Sequence, residues 1–585
     1  METLHVAQKA LRTVARSARV LPSILTAALT AVVLAMGGPV QAQAVLEVPD
    51  QELIRQQERE RALRERLEVT PDVRLDVPSQ TSPDRLPADE SPCFVIHAIV
   101  LNGEGADTFR WARQAVDTAE DPATDRCLGG DGINTVIGRV QNAIIARGFV
   151  TTRVVAAPQD LKTGVLELTI VPGKVRAIRY ADGADTRAVL RNAIPIRPGE
   201  LLNLRAIEQA LENLQRLPTV TADIQIAPAE DAAAQPGESD LVVTRQQRAT
   251  ARYALTLDDS GSKATGQLQG GATLSLDGVS RLNDLFYLNL GRSLFQGDDS
   301  KTSSWGAHYS LPFGRWQLGA NAGAHDYRQA VAGAFETYVY SGSSRNAELR
   351  ASRMLFRNAS ARFGAYGRGW WRESDNYIDD TEIEVQRRRV AGWEVGLTHR
   401  HFLGTATLDA SAAYRRGTGA FDALAAPEEA FGEGTSRPVL IMADVQFAAP
   451  LSIGAQRLRY TGSWRAQWHR TPLLPQDRFS IGGRYTVRGF DGEVALSGER
   501  GWLVRNDLGL ALGGGQEAYF GVDYGHVGGP SVQWQLGHQL SGGVLGVRGG
   551  WRGMYWDAFV GAPIEKPANY PTAYTTVGFS MGWSH

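Results

Sequence analysis

The last 341 residues constrain the fold most strongly, because they consist of short period-two segments separated by turn residues. Apolar or aromatic residues alternate with small or polar ones in YALTLDDSG (253–261), LFYLNLG (285–291), LDASAAYRRG (408–417) and YFGVDYG (519–525). A strand that faces lipid on one side and water on the other has this pattern. We therefore predict a transmembrane β-barrel over residues 245–585.

The composition of this region agrees with a barrel. It holds 12 of the 13 Trp, 16 of the 17 Tyr, 15 of the 18 Phe and 49 of the 63 Gly. Aromatic residues are enriched where barrels meet the two membrane interfaces. At roughly 20 residues per strand and turn, the region provides sixteen or seventeen strands, and bacterial single-chain barrels have even numbers. We predict about 16 antiparallel strands; a β-rich surface protein is the alternative.

Charge, hydropathy and motif searches exclude several classes. The formal net charge of -2 gives no polybasic signal, so no nucleic-acid partner is expected. The mean hydropathy of -0.23 excludes a bundle of transmembrane helices. The sequence contains no HExxH and no Walker-type glycine loop. We expect no enzyme activity, no catalytic residue, no cofactor and no metal site.

The N-terminus has the features of an export signal. Lys9, Arg12 and Arg16 precede an apolar stretch over 21–36, which small residues follow. A membrane anchor is the alternative, but sixteen residues are short for crossing about 30 Å of hydrocarbon. We predict a signal peptide over residues 1–42 and an oxidising destination.

The two cysteines fit such a destination. Cys93 and Cys127 are the only cysteines, and no nearby Cys/His set completes a metal or catalytic site. A bond between them would close a loop worth roughly 3–4 kcal/mol. We predict a structural disulfide, with two unrelated buried thiols as the alternative.

A charged helix and a proline-rich segment follow the signal. Residues Gln51 to Glu68 contain five Arg and five Glu and no Gly or Pro, so they form a helix that cannot lie in a dry core. A solvated helix, half of a coiled coil or a helix in a water-filled polar space all fit. Residues 69–90 contain four Pro and show no periodicity, which predicts a flexible linker.

Two small α/β modules come next. In the first, 94–101, 149–157 and 164–171 read as strands, and 133–147 reads as an amphipathic helix. The second repeats this order, with strands at 175–180, 220–227 and 239–244 around two helical stretches. Such modules have free sheet edges that could accept a strand from a partner chain. A spacer between signal and barrel is the alternative role.

The most specific segment is residues 473–508. It contains the tetrad Val487, Arg488, Gly489 and Phe490, with further glycines at 482 and 483. An arginine between Val and Phe suits a loop that folds back into a barrel lumen, where a cation can meet a carboxylate. Glycines permit the tight hairpin that such a loop needs.

These motifs together resemble a known family. The first module contributes CLGGDGIN (from Cys127), ARGFVTTRV (146–154) and APQDLKTGVLEL (157–168), and the second PGELLNLRAIEQALENLQRLP (198–218) and PGESDLVV (236–243). The barrel adds LDDSGSKATG (257–266), SLPFG (310–314), FGVDYG (520–525) and the series RFSIGG, VRGF, GERGW and RND. The chain is identified as resembling the TpsB outer-membrane transporters of two-partner secretion, the ShlB/FhaC/HecB-like haemolysin secretion/activation family of the BamA-like superfamily.

The resemblance implies a domain plan. Residues 91–173 and 174–244 would be POTRA 1 and POTRA 2, which recruit an unfolded partner in the periplasm. Residues 51–68 would be a plug helix in the barrel lumen, and an inward loop near 482–500 would carry Val487, Arg488, Gly489 and Phe490.

The resemblance also implies one ion pair inside the barrel. By motif matching, Arg488 pairs with Asp523 and holds the inward loop. The alternative for Asp523 is an ordinary lumen-facing carboxylate. One departure from the usual barrel pattern is that Trp583 is third from last and the chain stops at His585, not at Phe.

The function that follows is transport across the outer membrane. A secreted TpsA-type exoprotein, such as an adhesin or haemolysin, would bind the periplasmic POTRA domains unfolded and pass through the pore. Outer-membrane lipid and the barrel assembly machinery would be further partners. An insertase of outer-membrane proteins is the main alternative; a passive porin would not need the modules, and a barrel enzyme would need a catalytic site.

Overall fold

The computed structural model of the chain describes residues 48–68, 71–77, 85–229 and 234–585. The predicted signal peptide over 1–42 lies outside these residues. None of the helices in the described ranges has both the length and the apolar character needed to cross a membrane.

The charged segment forms helix α1 (Val48–Leu67). It begins three residues before the predicted start and carries acidic Asp50 in its first turn and Arg64 and Arg66 in its last. This arrangement of charges complements the helix dipole.

Part of the segment predicted to be a flexible linker is instead packed against the modules. Residues 71–77 are extended, with half-buried Pro71, Val73, Leu75 and Val77 alternating with exposed residues. Val73 and Leu75 pack against the core of the second module, and Leu86 is buried in the core of the first. The prediction was wrong for these residues, because alternate apolar side chains find a surface that only the folded modules provide.

The first module packs one α-helix and a ten-residue 3-10 helix against small sheets. Its elements are β1 (Phe94–Ile96), β2 (Ala98–Asn102), the 3-10 helix Ala106–Ala115, β3 (Arg126–Leu128), α2 (Gly130–Ala146), β4 (Arg153–Val155), the 3-10 turn Leu161–Thr163 and β5 (Val165–Val171). Strand β1 pairs with β3, and β2, β5 and β4 form a three-stranded sheet in that order.

Two strands of this module differ from the sequence-based expectation. The stretch 94–101 divides at His97 into β1 and β2, which join different sheets. Of the stretch 149–157, only β4 is a strand. Gly148 adopts a φ of +94°, and the Phe149 ring packs edge-on against Phe109 at 5.0 Å, so the chain turns before the strand begins.

The second module repeats the plan with better defined strands. Its elements are β6 (Lys174–Tyr180), α3 (Leu190–Ala193), α4 (Leu204–Gln215), β7 (Val220–Pro228) and β8 (Glu238–Gln247). The sheet order is β6-β8-β7, with β6 parallel and β7 antiparallel to β8. Helix α4 covers the sheet with Ile207, Leu211 and Leu214, which lie on one face of the helix.

The remainder of the chain forms a closed antiparallel barrel, which confirms the predicted fold class and its sixteen strands. The strands are β9 (Ala251–Asp258), β10 (Gln269–Asp277), β11 (Leu285–Ser293), β12 (Lys301–Phe313), β13 (Trp316–Ala332), β14 (Thr337–Arg357), β15 (Ala361–Ile378), β16 (Thr381–Glu382, a short extension on β15), β17 (Arg388–Leu403), β18 (Ala406–Thr418), β19 (Val439–Ile453), β20 (Gln456–His469), β21 (Phe479–Ile481) and β22 (Leu496–Gly498) in a loop, β23 (Arg500–Gly513), β24 (Gln516–Gly528), β25 (Gln539–Trp551), β26 (Met554–Glu565) and β27 (Thr576–Ser584).

The barrel closes between its first and last strands. Ser580–Ser584 of β27 pair with Ala254–Asp258 of β9. The ladder continues past Trp583, because the backbones of His585 and Tyr253 exchange two hydrogen bonds. The residues after Trp583 therefore take part in closing the barrel.

Candidate functional site

Helix α1 lies in the barrel lumen, where barrel carboxylates hold its arginines. Arg61 Nη2 is 2.6 Å from Asp444 Oδ1 on β19, and Arg64 Nη1 is 3.7 Å from Glu348 Oε2 on β14. Just after the helix, the acidic residue Glu68 accepts a hydrogen bond at its Oε1 from the Tyr287 hydroxyl, at 2.9 Å. The lumen wall thus provides partners both for the arginines of the helix and for the carboxylate that directly follows it.

The first half of α1 surrounds a buried carboxylate. Glu52 is 2% exposed and accepts from Arg55 at 2.6 Å, and Arg59 Nη2 lies 3.6 Å from it. His325 of β13 approaches Glu52 to 3.9 Å. Because buried charges are costly without partners, this end of the helix is set firmly against β13.

A long loop shares the lumen with the helix. Residues 470–499, here called the inward loop, connect β20 to β23 and contain the hairpin β21–β22. The loop touches α1 directly, since Arg55 Nη2 donates to the Gly492 carbonyl at 2.8 Å. Helix and loop are therefore one packed unit within the barrel.

The tip of the inward loop has an apolar side. Val487 and Phe490 are buried in a cluster with residues of the barrel wall and of the loop stem: Phe479, Ile481, Leu496, Leu503, Val527, Leu540 and Tyr570. The Phe490 and Tyr570 rings meet edge to face at 5.9 Å. This cluster is why the arginine of the tetrad stands between two apolar residues.

Arg488 lies between two carboxylates of the barrel wall. Its Nε and Nη2 donate to Asp523 at 2.7 and 2.8 Å, and its backbone N–H donates to Asp523 Oδ2 at 3.0 Å. Its Nη2 also donates to Asp507 Oδ1 of β23 at 2.6 Å. Arg488 is 5% and Asp523 1% exposed. A bidentate pair with a third, backbone bond defines the loop position closely.

Two glycines allow the loop tip to approach the wall. Gly489 has a φ of +94°, and a Cβ there would lie 2.5 Å from the Ala562 carbonyl oxygen. On the facing strand β25, a Cβ on Gly542 would lie 1.8 Å from the Arg488 carbonyl oxygen. Any side chain at either position would push the tip off its carboxylates.

At the rim of the barrel, the second module is attached through α4. Asn213 Nδ2 donates to the Gly314 carbonyl in the β12–β13 turn at 2.8 Å. Arg357, at the end of β14, donates to Glu208 at 2.8 Å and to Glu212 at 2.6 Å. All three side chains of this cluster are nearly fully buried.

The segment 71–77 is part of the same rim cluster. The Val73 and Leu75 amides donate to Glu212 and Glu208 at 3.2 and 2.8 Å. On the barrel side, Arg357 Nη2 donates to the Val73 carbonyl at 2.6 Å. The chain that follows the lumen helix is thereby fastened to both the second module and the barrel.

In the first module, Cys93 and Cys127 are joined by a disulfide, with their Cα atoms 5.4 Å apart. Next to this link, Asp121 accepts from the Leu86 amide at 2.7 Å and from the guanidinium groups of Arg139 and Arg126. These hydrogen bonds lower the pKa of the Asp121 carboxyl, with the Leu86 amide contributing most.

Helix and inward loop do not fill the lumen completely, and spaces remain beside them. One of about 310 Å³ is lined by Arg59, Arg66, Arg484, Arg505 and Arg548 among others. Another, of about 480 Å³, lies toward the rim beside Glu68, Arg350, Arg400 and Asp444. The charged side chains that line these spaces favour water, so we expect the lumen to be hydrated.

Several residues of the site were missed by sequence reasoning. Asp507 belongs to the RND motif, so a signal existed, but the motif gave no pairing partner. Asp444, Glu348 and Arg357 carry no motif, because an isolated charge in an alternating strand looks like any other lumen residue.

Family models match three consecutive parts of the chain. The model described as haemolysin secretion/activation protein ShlB/FhaC/HecB matches residues 237–549, more than half of the chain. A ShlB-type POTRA domain model matches 94–173, and a second POTRA domain model matches 174–228.

Relatives and solved structures agree with these models. Outer membrane transporter CdiB-2 of Burkholderia pseudomallei (strain 1026b) is 35% identical, covering 92% of this chain and 94% of its own. Hemolysin transporter protein ShlB of Serratia marcescens is 22% identical, covering 78% and 77%. The structure of CdiB from Acinetobacter baumannii superposes with a TM-score of 0.81 at 30% identity, covering 93% of this chain and all of that one. This chain therefore belongs to the ShlB/FhaC/HecB family of haemolysin secretion/activation proteins, outer-membrane transporters with periplasmic POTRA domains.

Proposed function

We propose that the protein carries an unfolded exoprotein partner, of the TpsA type, from the periplasm through its barrel to the cell surface. The observation that carries this proposal is the lumen, which is closed by a helix held mainly through side-chain ion pairs and hydrogen bonds. Such contacts exchange readily for water, so the helix can leave without unfolding the barrel. An insertase role has less support, because the matched relatives are secretion transporters.

The two modules would receive the partner. Their sheets end in β2 and β4 in the first module and in β6 and β7 in the second. Each of these edge strands offers backbone groups to an extended chain, which is the recognition mode expected for an unfolded polypeptide of variable sequence. The modules would thus serve as POTRA 1 and POTRA 2 in recruitment.

The inward loop would keep its place through Arg488 and Asp523. Their three hydrogen bonds, supported by Asp507, tie the tetrad to β24 and β23 while α1 moves. Removing one partner leaves the other charge buried and unpaired, which costs more than the loss of the bond itself. The pair would therefore be a positioning element for the pore, not a catalytic group.

Two further partners follow from the architecture. The aromatic and apolar outer face of the barrel would contact outer-membrane lipid, with exposed Leu255, Trp305 and Leu397 among its residues. Insertion of such a barrel would require the assembly machinery of the outer membrane.

The experiment that tests the proposal measures export of the candidate exoprotein from the neighbouring gene. Cells would carry the wild-type protein, Arg488→Ala or no transporter. We expect partner at the surface or in the medium with the wild type only, and export reduced by about tenfold in Arg488→Ala at equal outer-membrane levels, since losing a charged hydrogen-bonded pair costs about 1.5–3 kcal/mol.

The matched control is Arg389→Ala. Arg389 pairs with Glu373 on the face of β17 opposite to the lumen side chain of Glu394, so its loss removes an ion pair outside the pore. Unchanged export in cells without this chain, together with failing assembly of other barrels, would support the insertase role instead.

A further inference from the structure

At the end of the barrel that lies opposite the modules, neighbouring strands end at different heights. The modules contact the β12–β13 turn, so the other ends of the strands face the exterior. There β12 begins at Lys301, whereas its neighbour β13 runs on to Ala332 and β14 begins at Thr337. The hairpin β13–β14 therefore stands above the strand beside it.

The register locates an unpaired edge on this hairpin. Lys301 lies opposite Arg328, and this is the outermost pair between β12 and β13. Residues 329–332 of β13 pair with 337–340 of β14 on one side. On the other side, no strand of the described chain pairs with them. The edge is four residues long, or about 13 Å.

The direction of the backbone groups follows from the hairpin turn. The Gly333 amide donates to the Glu336 carbonyl across the turn at 2.8 Å, toward β14. Backbone groups alternate in direction along a strand. The N–H and C=O groups of Ala332 and Ala330 therefore point to the vacant side.

This edge lacks the features that usually block strand addition. Residues 329–334 read QAVAGA, with no charge and no proline. Ala330 and Ala332 are exposed, and their methyl groups leave the backbone accessible. Natural edge strands are normally protected by lysine, proline or a bulge. An unprotected edge on the exterior of a membrane barrel is a template for another strand.

Its position connects it to the pore. On the inner face of the same strand, His325 lies 3.9 Å from Glu52, near the start of the lumen helix. A chain that leaves the lumen on this side passes the edge within a few residues of its exit. The edge is thus continuous with the wall along which the plug lies.

We propose that residues 329–332 of β13 bind the emerging extended segment of the exported partner as an added strand, and so nucleate its β-structure at the surface. The proposal rests on the transport function proposed above. Recognition is through backbone hydrogen bonds, so it suits a strand-rich partner of any sequence with small or alternating side chains. Four residues give a weak site, which allows the strand to move on as the partner grows.

The test uses three variants of the full-length protein in cells that export the candidate exoprotein of the neighbouring gene. Ala332→Pro removes an amide from the vacant side and leaves the β14 side intact. Ala330→Lys places a charge on the edge. The matched control is Ala334→Lys, which places the same charge two residues beyond the strand, in the turn.

The readouts are total partner outside the cell and the time at which it becomes resistant to added protease. We expect Ala332→Pro and Ala330→Lys to export the wild-type amount but to delay protease resistance by about fivefold, the change expected when a nucleus loses about one backbone hydrogen bond. A photo-crosslinker at Ala332 should capture the partner during export.

Three results overturn the proposal. Equal folding times in all variants would show that the edge takes no part. Equal delay in Ala334→Lys would assign the effect to charge alone. Crosslinks from position 332 to a second copy of this chain would make the edge an oligomer contact. Absence of export with the wild type would instead overturn the transport function, so the two failures are distinguishable.

Discussion

At the scale of single residues, arginine side chains fix the positions of the inward loop and of the contacts at the barrel rim. The Arg488 side chain donates to the carboxylates of Asp523 and Asp507, and its backbone amide also donates to Asp523. Arg357 donates to two carboxylates of the second module and to the Val73 carbonyl. The planar guanidinium offers several donors in fixed directions, whereas lysine offers a point charge. Two arginines thus define the inward loop and the rim, and both act by orientation more than by net charge.

A residue-scale prediction concerns Asp121 in the first module. Because hydrogen bonds from Leu86, Arg139 and Arg126 lower its folded-state pKa, its stabilisation is present above the unfolded value of about 4 and is lost as the pH falls through the lower folded value. We expect Asp121→Asn to destabilise the module at pH 7 and to remove this acid-dependent loss. Hydrogen exchange of helix α2 in the full-length protein, corrected for intrinsic rates, measures both effects.

The control for Asp121 is Asp107→Asn. Asp107 also pairs with an arginine, Arg110, but both side chains are exposed. An exposed pair contributes little to stability. Equal loss of protection in the two variants at pH 7 would contradict the assignment.

At the scale of elements, the segment 71–77 changes the picture of how the lumen helix is attached. It alternates half-buried and exposed residues like a strand, yet its Val73 and Leu75 amides donate to the side chains of Glu212 and Glu208 and not to another strand. It lies between α4 and the end of β14, so the chain that follows the lumen helix is attached to both the second module and the barrel.

The element-scale prediction tests this cluster through Arg357→Ala. The substitution removes hydrogen bonds to Glu208, Glu212 and the Val73 carbonyl, so the segment should detach more often. Arg74 within the segment provides a trypsin site, and we expect cleavage there to become about tenfold faster, as for the loss of roughly 1.4 kcal/mol. Mass spectrometry of the purified, folded protein identifies the cut.

Arg353→Ala serves as the control for this experiment. Arg353 lies on the same strand and stacks on Trp316 at 5.2 Å, away from the segment. Cleavage at Arg74 that is equally fast in both variants would indicate general loosening of the barrel end instead.

At the scale of the whole molecule, the barrel is wide, and the elements inside its lumen determine whether the pore is closed. A sixteen-stranded barrel is large enough to enclose an aqueous channel, but here α1 and the inward loop share the interior. The lumen is therefore closed by two elements of different kinds: a helix held mainly by polar contacts, and a loop held by a buried ion pair and an apolar cluster.

The whole-molecule prediction is that deleting residues 51–68 opens the pore. The inward loop keeps its contacts to Asp523 and the apolar cluster, so the barrel should remain folded while its conductance in planar bilayers rises several-fold. Asp76→Ser, an exposed change in the segment after the helix, should conduct as the wild type does. A deletion variant that conducts no more than the wild type would show that the helix does not close the pore.

The fold class, the sixteen strands and the family were predictable from the amino-acid sequence. Lipid on one side and water on the other impose period-two alternation on each strand separately. The pattern can therefore be recognised in the sequence without knowing which strands are neighbours. The tetrad around Arg488 and the module motifs are equally local, and so is the helical character of α1.

Which charges meet, and where residues 71–77 lie, could not be predicted from the sequence, because both depend on tertiary contacts. Arg357 and Glu208 are 149 residues apart, and Arg61 and Asp444 are 383 apart, so their contact depends on strand register and on the placement of whole modules. Lumen strands carry many similar charges, and alternation alone does not distinguish them. Residues 71–77 looked flexible for the same physical reason: their alternate apolar side chains and amides have no partners until α4 and the end of β14 are brought together.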